Sequence, residues 1–189
     1  GTYLLGTDQF GRDILSRIIY GTRVALLVGV VSVSVALALG GVLGLVSGYY
    51  QGPIDSVIQR LVDTMLACPS LILIIALSSV LGPSMVTAMF AIGFVQSFAF
   101  TRLIRGSVLV VIEEQYVESA RAIGARPFEI MARYLLPNIA APLIVQATLA
   151  FSGAIVAEAG LSFLGLGTQP PSPSWGSMLG DGRKYMELA

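Results

Sequence analysis

Side chains that could do chemistry are few in this sequence and are mostly scattered. The chain contains no histidine and a single cysteine, Cys68, so neither an internal disulfide nor a metal cluster built on His or Cys is available. Asp8 and Asp13 lack the ligand series and terminal Glu of a calcium loop. A catalytic site would need a clustered nucleophile, base or ligand set. We therefore predict no catalytic residue and no metal site.

One acid stands at the end of a long apolar run. Glu158 follows the uncharged stretch 134–157. An ionisable side chain inside a membrane can mark a transport path or a helix contact. A residue one turn from the interface can also snorkel to the headgroups. Glu158 is thus a candidate pathway residue, and the snorkelling interpretation stays open beside it.

The densest group of charges is the stretch 113–137, EEQYVESARAIGARPFEIMARYLLP. It holds seven of the chain's 22 charged side chains (11 basic and 11 acidic), so in a membrane protein it must lie in water. Gly124 and Pro127 divide it. Pro127 suits a first helical position, and Glu129 with Arg133 forms an i, i+4 pair. The pattern predicts a helix, an elbow and a second helix closed by Pro137.

The two halves of this charged stretch also carry apolar side chains. Tyr116, Ala120 and Ile123 recur at helical spacing before the elbow. Connections between helices are ordinarily only about four to six residues long. A long loop with apolar side chains is typical of a surface that docks a partner, and the candidate docking residues are Ile123, Phe128, Met131 and Leu135.

The composition places the chain in a membrane. Hydrophobic residues make up 55% and charged residues 12%, far from the usual globular mix, and the mean hydropathy is +0.82. The formal net charge is zero, so no basic surface argues for nucleic acid. The first residues contain no start methionine and no signal-peptide pattern, and the last residues form a polar stretch without a helix stop. We therefore expect the sequence to be part of a longer chain.

Four spans are predicted in one transmembrane domain, 1–189. Residues 1–23 read as an interfacial entry with a short helix, and Gly82-Pro83 divides the long uncharged window 64–101. Gly40 and Gly44 form a small-xxx-small pair that would let a neighbouring helix approach closely, and lining of a substrate path is the alternative. The predicted spans are about 24–46, 65–81, 84–103 and 141–161, with a polar loop at 106–137.

Smaller features complete this prediction. Pro69 should kink the second span or end its first turn, and Cys68 should be a buried small residue. The segment after the fourth span reads as an ordered loop with an interfacial patch around Trp175. Four spans put both ends on one side and the charged stretch on the other, and a slight excess of arginine favours the cytoplasm for the charged stretch.

Motif positions in the charged stretch resemble a known loop. Glu118-Ser119-Ala120, then Gly124, then Leu136-Pro137 are similar to the EAA loop of bacterial ABC importer permeases, written E-A-A, three residues, G, nine residues, I, one residue, L-P. Ser119 and Tyr134 depart mildly from it. The segments LLGTDQFGRDILSRIIYGTRVALLVG, RLVDTMLACPSL and AEAGLSFLGLGTQPPSPSWGSML also resemble the permease subunits of dipeptide, oligopeptide and nickel importers.

This resemblance implies an all-α polytopic bundle of the type I importer kind, with four of an expected six spans in this sequence. It implies a place in the bacterial or archaeal cytoplasmic membrane, a sister permease, two ABC ATPases that bind ATP and Mg, and an extracytoplasmic solute-binding protein. The chain itself would bind no cofactor, and it has no GxxxxGK[ST] phosphate loop. The implied ATPase-coupling residues are Glu118, Ser119, Ala120, Arg121, Ala122, Gly124, Ala125, Leu136 and Pro137.

Two other protein classes are alternatives to an importer permease. Glu158 as the sole strongly intramembrane acid, the lack of histidine and the lack of a visible inverted repeat speak against an ion-coupled secondary transporter. A membrane enzyme would need clustered catalytic groups, whereas the acids here are scattered or lie in the charged stretch. Within the importer class, the motifs are shared by peptide and nickel systems, so the solute stays open.

Overall fold

A computed structural model describes the backbone of residues 3–186 and the side chains of residues 3–183. The first two and last three residues of the expected domain 1–189 lie outside it. The described chain is built from helices: α1 (Ile14–Tyr50), α2 (Gly52–Leu66), α3 (Ser70–Leu81), α4 (Met85–Val111), α5 (Gln115–Ala122), α6 (Pro127–Glu129), a π-helical segment (Ile130–Leu135), α7 (Leu136–Asn138), α8 (Ala140–Phe163) and α9 (Trp175–Met186).

Three of the described helices, α1, α4 and α8, are long and apolar enough to cross a membrane. The pair α2 and α3 passes the same test only together, and its two members are bent by 89°. Helix α3 has 12 residues, which is about 18 Å and shorter than the roughly 30 Å hydrocarbon core. The count is thus three, or four with the bent pair. The stretch predicted as a span over 65–81 is not one straight helix.

The break between α2 and α3 follows from Pro69. It lies between Leu66 and Ser70, where the chain leaves the helical path, because proline lacks the N–H group and crowds the preceding turn. Cys68 falls in this break and is exposed. The prediction that Cys68 is buried was therefore wrong, since the sequence does not show that the break turns this side chain outward.

Helix α1 extends much further than expected. Residues from Ile14 onward, predicted as a short interfacial helix, are the first turns of one 37-residue helix. At 1.5 Å per residue its length is about 56 Å, well beyond a bilayer core. Asp13 accounts for its start, because its carboxylate accepts hydrogen bonds from the Ser16 N–H at 3.1 Å and from the Ser16 hydroxyl at 2.5 Å, as an N-cap does.

The described chain divides into two compact units. The first comprises the described parts of Gly1–Ser32, Leu71–Gly93 and Phe151–Ala189, and the second comprises Val33–Ser70 and Phe94–Ala150. The predicted charged stretch lies wholly in the second unit, and Glu158 lies in the first.

In the second unit, α1 and α4 pack closely, because glycines of α1 lie directly against residues of α4. A Cβ added to Gly40 would lie 2.6 Å from the Phe100 Cβ, and one added to Gly44 would lie 2.7 Å from the Ile104 Cβ. Gly48 continues the series, 2.7 Å from a Val108 methyl. The predicted close approach at Gly40 and Gly44 is confirmed, and a third glycine extends it. We call this contact the glycine seam.

In the first unit, the chain after α8 turns back onto the helices instead of forming only a loop. Trp175 begins α9, and its indole N–H donates to the Ile18 carbonyl at 3.0 Å. The ring lies against Gly21, and Gly176 lies so close to the Ala159 carbonyl that no Cβ would fit. The sequence predicted a loop with an interfacial patch around Trp175. The structure instead places Trp175 in the first turn of α9, where its hydrogen bond to Ile18 anchors this turn.

Candidate functional site

The charged stretch folds as a helix and an elbow, as its sequence predicts. Helix α5 ends at Ala122, and Gly124 adopts φ +84°. The Gly124 N–H donates to the Arg121 carbonyl at 3.0 Å, and the Ala125 N–H donates to the Ala120 carbonyl at 3.0 Å. These two bonds form a Schellman motif, whose C′ position takes a left-handed conformation that glycine adopts without a Cβ penalty.

The second half of the elbow is set by proline. Arg126 is extended, with φ −74° and ψ 150°, the conformation that a following proline imposes. Pro127 then starts α6. The predicted pair of Glu129 and Arg133 is present, with the guanidinium 2.8 Å from the carboxylate. Both side chains are exposed enough that such a pair contributes only about 0.3–0.5 kcal/mol.

The sequence pattern predicted that the helix after the elbow ends at Pro137. In the structure the helical path continues beyond this residue. The segment Ile130–Leu135 is π-helical, and Pro137 lies inside α7. A π turn widens the helix just before the proline, whose ring and missing N–H disturb an α-helical ladder. Only Ile139 separates α7 from α8. The elbow is therefore joined to α8 by an almost continuous helical arm.

Burial separates the residues of the charged stretch into two groups. Ala120 is 2% exposed and packs inward beside Val117, which is fully buried. Ile123 is 82% exposed and Phe128 is 78% exposed, one on each side of Gly124. The remaining motif positions are exposed or partly exposed: Glu118, Ser119, Arg121, Ala122, Gly124, Ala125, Leu136 and Pro137.

The apolar docking face predicted from the sequence is thus smaller than expected. Leu135 is fully buried within the protein and Met131 is only partly exposed. Ile123 and Phe128 alone remain as fully exposed large apolar side chains of that set. The structure concentrates the exposed apolar surface at the elbow, because the π-helical arm turns Ile130 and Leu135 inward.

Helix α5 also touches the end of α1. The Arg121 guanidinium lies 5.6 Å from the centroid of the Tyr49 ring, within the range of a cation–π contact. Tyr49 in turn packs edge-on against Tyr50 at 5.0 Å. Sequence reasoning missed this contact, because residues 49 and 121 are separated by three helices along the chain.

Glu158 lies in the part of α8 that belongs to the first unit. It is 2% exposed, and its carboxylate accepts hydrogen bonds from the Ser162 hydroxyl at 2.5 Å and the Thr168 hydroxyl at 2.9 Å. The Thr168 N–H also donates to the Ser162 hydroxyl at 2.9 Å. Glu158 therefore holds the segment after α8 against the helix. Its pathway role remains a prediction.

The two N-terminal acids are occupied by protein partners. Asp8 pairs with Arg12 at 2.7 Å and Arg17 at 3.1 Å. Desolvation raises the pKa of Asp8, but hydrogen bonds from Arg12 and from the Phe10 N–H outweigh it and lower that pKa overall. The Ser16 hydroxyl likewise lowers the pKa of Asp13. In the described part of the chain, no group of three His, Cys, Asp or Glu side chains could hold a metal.

One polar cluster in the second unit was not predicted at all. Asp55 on α2 receives two hydrogen bonds from Arg105 on α4, each 2.6 Å long. Ser47 on α1 also donates to Asp55, and Gln59 donates to Ser47 at 2.9 Å. Each of these residues is unremarkable in the sequence, so only the tertiary fold reveals the cluster.

Comparison with known proteins agrees with these observations. A protein family described as "Binding-protein-dependent transport system inner membrane component" matches residues 40–185. The chain is 48% identical over 187 residues to the di/tripeptide transport system permease protein of Pseudomonas aeruginosa, covering 99% of this chain and 62% of that protein. It is 42% identical over 185 residues to the glutathione transport system permease protein of Pectobacterium atrosepticum, covering 98% and 62%.

The chain therefore spans about three fifths of the length of these relatives. Among solved structures, the inward-facing MetNI methionine ABC transporter superposes with a TM-score of 0.76, over 93% of this chain and 83% of that one. The sequence identity there is 18%, so this likeness concerns the fold, and it confirms the predicted all-α membrane bundle. With the family profile matching most of the sequence, this chain belongs to the family of binding-protein-dependent transport system inner membrane components.

Proposed function

We propose that this chain is a transmembrane permease subunit of an ATP-driven ABC importer. It forms the translocation pathway with a sister permease, and it catalyses no reaction itself. Two ABC ATPases in the cytoplasm bind ATP and Mg, and an extracytoplasmic solute-binding protein delivers the solute. Family membership and the names of the similar permeases support this proposal.

One observation carries the coupling role. Ile123 and Phe128 project large apolar side chains from the two sides of the Gly124 elbow. This charged stretch must lie in water, and an apolar patch rimmed by charged residues is typical of a protein interaction site. We assign the residues from Glu118 to Ala125 to the surface that meets the ATPase.

The mechanism follows from how the elbow is attached. ATP draws the two nucleotide-binding subunits together, and the docked α5 moves with them. Because the arm from Pro127 continues into α8 with a single non-helical residue, Ile139, that displacement reaches a membrane helix. Binding energy at the ATPase thus biases a two-state element in the membrane.

We propose peptides as the solute class. Two similar permeases are named for di/tripeptide and glutathione transport, and glutathione is itself a small peptide. Nickel remains the alternative solute from the motif resemblance. The chemistry of the delivered solute would be read by the binding protein and by both permeases together.

The coupling role is tested with the full-length permease assembled with its sister permease and ATPases. Burying a large apolar side chain in an interface contributes about 1.5–3 kcal/mol, so Phe128→Ser should weaken ATPase binding roughly 10- to 150-fold. Leu179→Ser is the matched control, because Leu179 is 64% exposed but lies on α9.

Equal ATPase binding by the Phe128→Ser and wild-type permeases would contradict the docking proposal. A second measurement separates the transport classes. Peptide uptake into vesicles should require ATP and persist when ion gradients are collapsed. Uptake that stops with the gradient and ignores ATP would instead favour an ion-coupled secondary transporter.

A further inference from the structure

The glycine seam between α1 and α4 leads directly to a polar cluster. The seam's last contact joins Gly48 to Val108. One residue before Gly48, the Ser47 hydroxyl is fully buried and donates to Asp55 of α2. Three residues before Val108, Arg105 of α4 binds the same carboxylate. Three helices therefore meet at one carboxylate at the end of the seam.

Geometry makes this cluster a rigid junction. Both Arg105 nitrogens that face Asp55 lie 2.6 Å from its oxygens, one nitrogen to each oxygen. A two-pronged arginine–carboxylate pair fixes orientation as well as distance. Gln59, one turn further along α2, adds a hydrogen bond to Ser47 at 2.9 Å. We call Asp55, Arg105 and Ser47 the interhelical clamp.

A second ion pair joins the same two helices and shows what is special about the clamp. Arg102 of α4 pairs with Asp63 of α2, but these side chains are 54% and 61% exposed. In the clamp the exposed fractions are 32% for Arg105 and 13% for Asp55. Exposed pairs are screened by solvent and contribute little, whereas partly buried pairs with several hydrogen bonds constrain their helices.

Helix α5 reaches the same end of α1. Arg121 lies over the Tyr49 ring, and Tyr49 is two residues beyond Ser47 in the same helix. The connection from α1 to α2 is equally tight, because Gln51 alone separates them. A displacement of α5 therefore acts on the end of α1 through the contact of Arg121 with Tyr49. At this end of α1 the clamp joins α1 to α2 and α4.

We propose that Asp55 and Arg105 are positioning residues of the transport cycle. The clamp passes movement of α5 into the α1–α4 seam, in parallel with the covalent arm into α8. This inference rests on the proposed ATP-driven function. Without the clamp, ATPases still dock on α5, but their movement no longer shifts α1, α2 and α4 as one group.

The test uses the full-length permease with its sister permease and ATPases in proteoliposomes. The readout is the ratio of ATP hydrolysis with and without the solute-binding protein loaded with a dipeptide mixture. Asp55→Asn should lower this stimulation ratio by at least about fivefold, the lower end of ordinary allosteric coupling. ATPase affinity for the permease should change less than about twofold, because α5 keeps its surface.

Matched variants distinguish positioning from general damage. Asp63→Asn removes the exposed pair of the same helices and should leave the ratio unchanged. Arg105→Lys keeps the charge but loses the two-pronged geometry, so it should retain more of the ratio than Arg105→Gln. If Asp55→Asn fails to assemble, Ser47→Ala removes one hydroxyl and should still lower the ratio measurably.

The outcomes separate the two proposals. Stimulation that is normal in Asp55→Asn, or lowered equally by Asp63→Asn, would overturn the clamp while leaving the proposed function intact. A wild-type complex that never hydrolyses ATP would overturn the proposed function and the clamp together.

Discussion

Replacing Gly124 tests whether the elbow acts through backbone conformation alone. Gly124 has φ +84°, and a Cβ built on it would meet nothing within 4 Å. Gly124 is also exposed, so an added Cβ meets no atom of the protein and the cost that remains is conformational. For a residue with a Cβ, the left-handed conformation costs about 1–2 kcal/mol. Asparagine tolerates this conformation better than other non-glycine residues.

These magnitudes predict an order of effects. Gly124→Ala should reduce the population of the native elbow by roughly 5- to 30-fold. Gly124→Leu should match Gly124→Ala, because the added atoms have open space. Gly124→Asn should lose clearly less, although asparagine and leucine are similar in size. ATPase affinity should follow this order, since docking requires the elbow that places Ile123 and Phe128.

The assay is copurification and equilibrium binding of the ATPases to the full-length permease variants in detergent. Transport-coupled ATP hydrolysis is measured on the same samples. Wild-type affinity and coupling in Gly124→Leu would refute the argument. A loss in Gly124→Leu far beyond that in Gly124→Ala would also refute it, because side-chain volume against the ATPase would then dominate over backbone conformation.

Three further predictions concern packing, the buried acid and topology. Gly44→Leu should destabilise the protein by about 1–3 kcal/mol, because a Cβ at Gly44 would lie 2.7–2.8 Å from three atoms of α4. Gly41→Leu is the control, because a Cβ there meets nothing within 4 Å, and it should leave the stability unchanged. Thermal unfolding in detergent measures both. Glu158→Ala should free the segment after α8 for proteolysis more than Glu158→Gln does, because glutamine keeps an acceptor; equal cleavage would contradict this. In a Cys68→Ser background, Arg126→Cys should resist an impermeant thiol reagent on intact cells, and labelling would contradict a cytoplasmic charged stretch.

The fold and the site were predictable where local chemistry decides them. The elbow is an example, because Gly124 and Pro127 alone are enough to predict its position. The close approach at Gly40 and Gly44 is another, since small residues at four-residue spacing let a neighbouring membrane helix come near. In contrast, the bend at Pro69 was anticipated, but its angle and the exposure of Cys68 depend on what surrounds the break.

Contacts between distant residues could not be predicted in the same way. Asp55 and Arg105 are 50 positions apart, and their pairing depends on how α2 and α4 are rotated about their axes. The same holds for Arg121 over Tyr49. A helical pattern shows which residues share a face, but it does not show which neighbour that face meets.

The sequence by itself determined the membrane class and the glycine elbow, because hydropathy and backbone preference are properties of the residues in order. Only the tertiary structure decided which apolar side chains of the charged stretch are exposed. The helical arm turns Leu135 inward and leaves Ile123 and Phe128 outward. It also decided that Glu158 binds two hydroxyls and that Asp55 joins three helices, because those bonds exist only once separate helices are packed together.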